Sequence, residues 1–433
     1  MKQLFKKIIV ALLRVESRAV LKRYNPKIVG ITGNVGKTST KDAIFVALSP
    51  FTHVRKSEKS FNSETGVPLS VLGVPNGWSN PFHWIKNLFS GLLVIFFKGN
   101  YPKWLVLEIG ADAPGDIKQL ASWIKPDVAV ITRFPEVPVH IEYFDSKEAV
   151  IEEKKELVKA LKSDGVMVLN ADDPVVAALA NEYSQRAVTF GFGDANVHGG
   201  ELSFIYQKID GVTMPIGVET VVTIGEASYP LRIDGVLGIQ QMYAALGAVA
   251  VAYALGFDVQ TAISALAKDY DTPPGRLSPL LGMNHSLIID DTYNSSPAAC
   301  EAALQVLKSV KAAGKKIAVI GDMLELGKYT LDAHRDIGVI ASLAADTLIT
   351  VGIRAQAVSE AAFAHGMKKT HIMHFADAVS AGEHLQGIIK KGDIVLIKGS
   401  QGVRLERAVK AVMQFPEEAG ERLVRQEEEW MKR

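Results

Sequence analysis

Cysteine is nearly absent from the 433-residue sequence, which contains only Cys300. A chain with a single cysteine forms no internal disulfide, and this suits a reducing cytoplasm. An excess of charge of one sign is also lacking, because 48 Lys and Arg are balanced by 47 Asp and Glu. Proteins that bind nucleic acid collect phosphates with a surplus of basic residues. The composition therefore favours a cytoplasmic protein and argues against nucleic acid as a partner.

Long hydrophobic runs are a third absence. The apolar patch Leu88–Phe97 is about half of the roughly 20 residues that a membrane-spanning helix needs, so it predicts a buried helix or an interfacial segment. An N-terminal apolar run follows Lys7, but Arg14 ends it early and no small-residue cleavage site comes after it. We therefore expect no secretion signal.

The N-terminal segment 1–25 has the pattern of a basic amphipathic helix. Its apolar residues recur at helical spacing on one face: Leu4, Ile8, Leu12 and Val15. Basic residues form a stripe beside this face: Lys7, Arg14 and Arg18. Such a helix either lies on an anionic membrane surface or packs on its own domain, and the pattern leaves both interpretations open.

The rest of the chain predicts an α/β fold. Strands that are apolar throughout alternate with helical patterns, which is typical of a parallel sheet covered on both faces. The first series contains Lys27–Thr32, Leu105–Ile109 and Val128–Thr132. Residues 197–235 alternate like antiparallel hairpins, and an alanine-rich helix follows over Gly238–Leu255.

A second series of strands begins near Ser286, with candidates at Leu287–Asp290, Ile317–Ile320, Thr347–Val351 and Ile394–Ile397. We predict a central P-loop-type parallel-sheet ATPase domain over 26–276 and a Rossmann-like α/β C-terminal domain over 277–416. A charged helical tail is predicted over 417–433.

The strongest local motif lies between the first predicted strand and a helix: Gly33, Asn34, Val35, Gly36, Lys37, Thr38 and Ser39. A strand, a glycine turn and a helix place backbone N–H groups around a phosphate chain. Lys37 supplies a positive charge to the terminal phosphates, and the Thr38 hydroxyl is suited to Mg²⁺. Ile31 stands where the common phosphate loop has its first glycine, which argues against a generic kinase or GTPase.

This T-G-x-x-G-K-T form resembles the Mur ligase family, and further motifs follow in the family's order from Lys27 to Glu406. They are Ser60–Pro68, Leu107–Ala111, Ile289–Pro297, Gly321–Gly327 and Lys398–Ser400. The Ile289–Pro297 segment is similar to the I-D-D-x-Y-N-x-x-P motif of the branch that adds D-alanyl-D-alanine.

The resemblance implies a role for each matching residue. The metal-binding residues would be Thr38, Glu108, His140 and a carbamylated Lys154, holding two Mg²⁺ ions; the adjacent Lys155 leaves this register open by one. Arg276 would contact phosphate. The nucleotide would also be lined by Asn170, Asp291, Tyr293 and Asn294. The substrates would meet Asn62, Glu64, Lys398 and Ser400.

The resemblance also implies an activity. ATP would phosphorylate a carboxylate of UDP-N-acetylmuramoyl-tripeptide, and D-alanyl-D-alanine would displace phosphate from the acyl phosphate. Lys37, Glu108, His140, Lys154 and Arg276 would stabilise the negative charge that both steps build on oxygen, directly or through the metal ions. We expect a cytoplasmic monomer.

Two departures from the family pattern keep alternatives open. The segment Gln240–Ala244 replaces the family's H-N-x-x-N motif, which puts the nucleotide contacts in question. The phosphate loop is reached by Gly33, so we expect the family's UDP-sugar-binding domain to be absent. We then expect the acceptor to be held differently, at a membrane surface by the Leu4–Val15 face and the Leu88–Phe97 patch. The alternatives are the same chemistry on another carboxylate, or an ATP-binding regulatory or scaffold protein.

Overall fold

The computed structural model describes residues 2–58, 61–77, 80–97, 99–134, 144–271 and 273–431. For residues 2–7, 429 and 431 it describes the backbone only.

The N-terminal part of the chain forms a ten-stranded sheet. In chain order its strands are β1 Lys27–Thr32, β2 Val54–Lys56, β3 Trp104–Glu108, β4 Val128–Ile131, β5 Val166–Asn170, β6 Arg186–Gly191, β7 Val197–Gly199, β8 Ser203–Ile209, β9 Val212–Ile224 and β10 Ala227–Asp234. The helices of this part are α1 Lys2–Tyr24, α2 Lys37–Leu48, α3 Gly66–Leu72, α4 Pro81–Phe96, α5 Asp116–Ile124, α6 Lys147–Lys159, α7 Pro174–Glu182, α8 Ile239–Ala254 and α9 Val259–Asp269.

Seven strands of this sheet are parallel, in the order β2-β3-β1-β4-β5-β6-β7, and β9 then continues it antiparallel with β8 and β10 beside it. Successive side chains of a strand point to opposite faces, so a strand buried on both faces must be apolar throughout. In β1, Val29 and Ile31 enter the core on one face while Ile28 enters the core on the other. This explains why the apolar runs in the sequence were continuous.

The C-terminal part forms a six-stranded sheet in the order β11-β12-β16-β13-β14-β15. Its strands are β11 Ser278–Gly282, β12 Ser286–Asp291, β13 Lys316–Gly321, β14 Thr347–Val351, β15 Ile372–Phe375 and β16 Ile394–Lys398. Its helices are α10 Pro297–Ser309, α11 Thr330–Ala344, α12 Gln356–Ala364, α13 Ala378–Ile388, α14 Glu406–Val412, α15 Ala419–Arg422 and α16 Glu428–Met431. Only β11 is antiparallel to its neighbour, and two cores cover the two faces.

The predicted α/β fold with two successive sheets is confirmed. The described part of the segment 417–433 contains the end of a 3-10 helix over Pro416–Glu418, the short helices α15 and α16, and an irregular stretch between these two helices. Arg425, in that stretch, has a φ of 59°, which a right-handed helix does not accommodate. The segment folds back onto the C-terminal sheet, where Leu423 enters the core.

Helix α1 packs on its own domain. Ile9, Leu13 and Val20 are buried in the core beneath the sheet, whereas Ile8 and Leu12 of the predicted apolar face are exposed. The packing face is therefore rotated from the predicted one; the side chain of Leu4 lies outside the described residues. No helix among the described residues is both long and apolar enough to cross a bilayer.

Strand β1 lies between β3 and β4, so the strands that follow it in the chain are added to the sheet on both of its sides. The carboxyl ends of the strands at such a switch point form a crevice in α/β sheets. Gly33 follows β1 at this edge, and Glu108 ends β3 beside it.

Candidate active site

The loop between β1 and α2 makes a turn that requires glycine at two positions. Gly33 has a φ of 137°, and a Cβ there would overlap Oγ1 of Thr132. Gly36, with a φ of 86°, is the N-cap of α2, and it has no side chain to cap the helix. The backbone N–H groups of the first turn of α2 therefore remain for an anion, as at a phosphate-binding loop.

Lys37 begins α2 inside this loop. Its Nζ donates to the carbonyl oxygen of Gly33 at 2.9 Å. Burial lowers the pKa of Lys37, and the carboxylate of Glu108 opposes this shift. A partly buried cation held on the loop and lining the cleft can neutralise a phosphate chain.

Glu108 connects two polar side chains at the end of β3. Thr38 Oγ1 donates to its Oε2 at 2.9 Å, and Asn62 Nδ2 donates to its Oε1 at 3.1 Å. The Thr38 hydroxyl and the Glu108 carboxylate are hard oxygen ligands of the kind that Mg²⁺ prefers. Among the described residues no three His, Cys, Asp or Glu cluster into a ready metal cage. Mg²⁺ bound mainly by phosphate oxygens and water, with one or two protein oxygens, fits this arrangement.

The two adjacent lysines of α6 have different surroundings. Lys154 is buried beneath the phosphate loop, where burial and then the charge of Lys37 lower its pKa to about 7. Lys155 points outward and pairs with Glu182 at 2.9 Å. Only Lys154 therefore faces the site.

Arg276 reaches the phosphate loop from the segment between the two sheets. Its Nη2 donates to Oγ1 of Thr38 at 3.3 Å, and its guanidinium lies 4.2 Å above the ring centre of Tyr293. Gln241 Nε2 donates to the carbonyl oxygen of Arg276 at 2.6 Å. The Gln240–Ala244 segment thus supports the arginine, and Ala244 is buried in the core.

The opposite wall of the site comes from the carboxyl ends of β12 and β16, which are neighbouring parallel strands. Lys398 Nζ pairs with Oδ2 of Asp291 at 2.6 Å and donates to the carbonyl oxygen of Asn294 at 3.2 Å. Ser400 Oγ accepts from the backbone N–H of Leu324 at 2.9 Å. This wall therefore presents polar groups to the phosphate loop.

A cleft of about 740 Å³ separates the two walls. It brings together most of the residues predicted from the sequence: Asn34, Val35, Gly36, Lys37, Thr38, Ser39, Asn62, Glu108, Arg276, Asp291, Tyr293, Asn294, Lys398 and Ser400.

Four predicted residues lie elsewhere. Gly33 and Lys154 are beneath the cleft, and Glu64 is exposed outside it. Asn170 lines a smaller adjoining cavity with Gln240 and Tyr243. His140 lies outside the described residues.

Other residues of the cleft were missed by the sequence analysis. Arg404 and Trp430 line it, and the guanidinium of Arg404 lies 5.6 Å from the ring centre of Trp430. Arg425 is buried behind them, donating to the carbonyl oxygen of Thr292 and to Glu406, each at 3.1 Å. No local motif marks these arginines, because their position depends on how the C-terminal segment folds back.

The fold and the site define a class: a phosphate-loop nucleotide-binding protein with a second α/β sheet facing the loop. The Mur ligase middle domain matches residues 31–252, and the Mur ligase, glutamate ligase domain matches residues 275–401. The chain belongs to the Mur ligase family, and the resemblance drawn from its motifs is confirmed.

Individual relatives agree with this family. The UDP-N-acetylmuramoyl-tripeptide–D-alanyl-D-alanine ligase of Bacillus subtilis is 31% identical, over 92% of this chain and 79% of the relative. The same-named ligase of Mycobacterium leprae is 30% identical, over 87% of this chain and 72% of the relative. The crystal structure of MurF ligase from Thermotoga maritima in complex with ADP is 26% identical, with a TM-score of 0.75; the match covers 96% of this chain and 84% of that one.

Proposed function

We propose that the protein is an ATP-dependent ligase that adds D-alanyl-D-alanine to UDP-N-acetylmuramoyl-tripeptide in peptidoglycan precursor synthesis. The observation that carries the proposal is the meeting of Thr38, Glu108 and Arg276 at the phosphate loop, facing Lys398 across one cleft. The relatives named as this ligase support the choice of substrates.

In the first step, a carboxylate oxygen of the tripeptide bonds to the γ-phosphorus of ATP, and the bond to the β-phosphate oxygen breaks to release ADP. Negative charge spreads over the phosphoryl oxygens. Lys37 and the N–H groups at the start of α2 hold the phosphates. Arg276 lies within reach of the transferred phosphoryl group because it already contacts Thr38.

In the second step, the amine of D-alanyl-D-alanine attacks the acyl carbon, phosphate leaves, and the amine gives up a proton. Lys398 and Ser400, on the opposite wall, are placed to orient the dipeptide. Enclosure between the walls keeps water from hydrolysing the acyl phosphate.

Mg²⁺ belongs to the proposal, and Thr38 and Glu108 would hold it together with phosphate oxygens. The ion would supply charge neutralisation at the transferring phosphoryl group. We propose that Lys154 carries a carbamate and, with His140, holds a second ion. A carbamate forms when a neutral amine bonds to CO₂ and releases a proton, and the pKa of about 7 leaves much of Lys154 neutral.

The proposal also covers location and assembly. We place the enzyme in the cytoplasm, as a monomer, with α1 in peripheral contact with the inner face of the membrane. The exposed Ile8, Leu12 and Arg18 of α1 support this contact.

The decisive test is phosphate release from ATP and Mg²⁺ with D-alanyl-D-alanine, in the presence and absence of UDP-N-acetylmuramoyl-tripeptide. We expect release only with both substrates, and a pentapeptide product by mass spectrometry. Lys37→Ala serves as the blank.

Two results would contradict the proposal. Release that requires D-alanyl-D-alanine but proceeds with a different carboxylate instead of the muramoyl tripeptide would assign the chemistry to another acceptor. ATP binding without release on any carboxylate would identify a nucleotide-binding protein that does not turn over.

A further inference from the structure

The outward side of α4 is a stripe of large apolar side chains that the described chain leaves uncovered. Their exposed fractions range from 40% to 79%, and they recur at helical spacing: Phe82, Ile85, Phe89, Leu92, Leu93 and Phe96. The inward side of α4 packs through the buried Asn87 and Gly91 and sets Trp84, Leu88 and Ile95 against the core. The helix therefore carries apolar side chains on both sides, and the described part of its own domain covers only the inward side.

Helix α1 extends this stripe sideways. It lies against α4, and a Cβ at Gly91 would overlap Oε2 of Glu16. Leu12 and Ile8 lie four and eight residues before Glu16, so they occupy the same strip of α1 and emerge beside α4. Both are exposed, as is Val15. We call these three residues and the α4 stripe the α1–α4 face.

The surroundings of the α1–α4 face are cationic. Residues 1–25 contain seven Lys or Arg and one acidic residue, Glu16, which is buried. Residues 65–107 contain no Asp or Glu at all. Arg18 and Lys22 of α1 and Lys86 of α4 are exposed. A surface that is apolar in the middle and basic around it is complementary to anionic lipid.

We propose that the α1–α4 face docks on an anionic bilayer, with the apolar side chains of α4 inserted among the upper acyl chains. This goes beyond a contact of α1 alone, because it assigns the main contact to α4. The 16-residue helix, about 24 Å long, lies along the surface. Protein interfaces use roughly one hydrogen bond per 100–200 Å², whereas the side chains of this stripe offer no hydrogen-bonding group. The hydrocarbon of a bilayer forms no hydrogen bonds, so it suits this stripe better than a protein partner does.

Docking in this way orients the cleft. Tyr24 Oη donates to the carbonyl oxygen of Val94 at 3.0 Å, so the C-terminal ends of α1 and α4 lie together. Helix α1 ends just before β1 begins, whereas the cleft lies at the carboxyl end of β1. The C-terminal ends of α1 and α4 therefore lie near the start of β1, at the other end of this strand from the cleft.

The test is co-sedimentation of the full chain with vesicles of phosphatidylglycerol and phosphatidylcholine, against vesicles of phosphatidylcholine alone. We expect binding to the anionic vesicles that weakens as salt is raised. The triple variant Phe82→Ser, Phe89→Ser, Phe96→Ser is expected to lower the partition coefficient at least about tenfold.

A matched triple variant, Leu343→Ser, Ile353→Ser, Phe363→Ser, removes similarly exposed apolar side chains from the C-terminal domain. It is expected to bind like the wild type, and both variants are expected to keep its thermal midpoint. The proposal is overturned if the wild type stays in the supernatant or if both triple variants bind equally. It is also overturned if the wild type forms dimers that the α4 variant abolishes, since the face would then join two copies. None of these readouts depends on ligase activity.

Discussion

At the scale of single residues, the site divides into what a short motif specifies and what only the fold specifies. The phosphate loop from Gly33 to Ser39 was predicted because its function resides in consecutive residues. Arg276 meets Thr38 across 238 positions, and only the family resemblance assigned Arg276 to the phosphate site. Arg404 and Trp430 had neither a local motif nor a resemblance, so sequence reasoning missed them.

The two adjacent lysines of α6 show why the sequence alone leaves some residue assignments open. Lys154 and Lys155 are chemically identical neighbours, so the sequence left the choice open. About 100° of helical rotation places Lys154 beneath the phosphate loop and Lys155 against Glu182 on the other side of the helix.

This geometry predicts different outcomes for two conservative variants. Lys154→Arg keeps the charge but cannot form a carbamate, and we expect roughly a hundredfold lower kcat. Lys155→Arg is the matched control and is expected to keep wild-type kcat. Steady-state phosphate release measures both, and intact mass under bicarbonate shows whether Lys154 carries CO₂. If the two variants lose kcat equally, a carbamate on Lys154 is not what α6 contributes to activity.

At the scale of elements, α1 and α4 meet through an ionisable group. Glu16 is buried between them, its Oε2 has no hydrogen-bond partner among the described residues, and burial raises its pKa from 4.5 to about 7. Between these two values the folded protein retains a proton that the unfolded chain has lost. Stability therefore falls as the pH rises from about 4.5 to about 7, and the full cost is present above this range.

Glu16→Gln removes that cost. We expect the variant to melt at a higher temperature than the wild type at pH 8 and at the same temperature at pH 4. Differential scanning calorimetry at both pH values measures the difference, with the exposed Glu226→Gln as control. A gain of equal size at both pH values would mean that the substitution acts through packing and not through ionisation.

The C-terminal segment fixes the loop after β12 to the rest of its domain. Arg425 pairs with Glu406 at 3.1 Å, and both are buried. Arg404 pairs with the other carboxylate oxygen of Glu406, so removing Arg425 leaves one buried oxygen unsatisfied and not an isolated charge. We therefore expect Arg425→Ala to lower the free energy of unfolding by about 2 kcal/mol. Because Arg425 also holds the backbone of Tyr293, the KM for ATP should rise.

Chemical denaturation and steady-state kinetics check this prediction. Arg422→Ala removes an exposed ion pair with Glu418 and is expected to change stability by less than about 1 kcal/mol. If both arginine variants lose the same small free energy of unfolding, the C-terminal segment does not stabilise the site.

The elements themselves were predicted unevenly. Strands buried on both faces, such as β1 and β14, were located from their continuous apolar runs. The short β2 and the half-buried edge strand β15 were missed, because neither presents a continuous apolar run. The exposed apolar side of α4 was left open, since the patch suited a buried helix and an interfacial segment equally.

At the scale of the whole molecule, the cleft lies between two sheets, and Val212 and Met214 of β9 also join a core of the second sheet. A ligand that contacts both walls stabilises the folded state by mass action, by about 2.7 kcal/mol at a hundredfold excess over Kd. We expect Mg²⁺ with a non-hydrolysable ATP analogue to slow hydrogen exchange both in the phosphate loop and in residues 291–296. Lys37→Ala should show neither effect. Slowed exchange in the first sheet alone would mean that the second wall does not contact the nucleotide.

The fold-back of the C-terminal segment has a consequence for synthesis on the ribosome. Domains generally fold in order from the N-terminus as the chain emerges. The phosphate loop and the first sheet can therefore form early, but Arg425 and Trp430 follow every strand of both sheets in the chain. A nascent chain lacks their side of the cleft even after both sheets have emerged, so the nucleotide-facing wall is finished only after the two folded units that it joins.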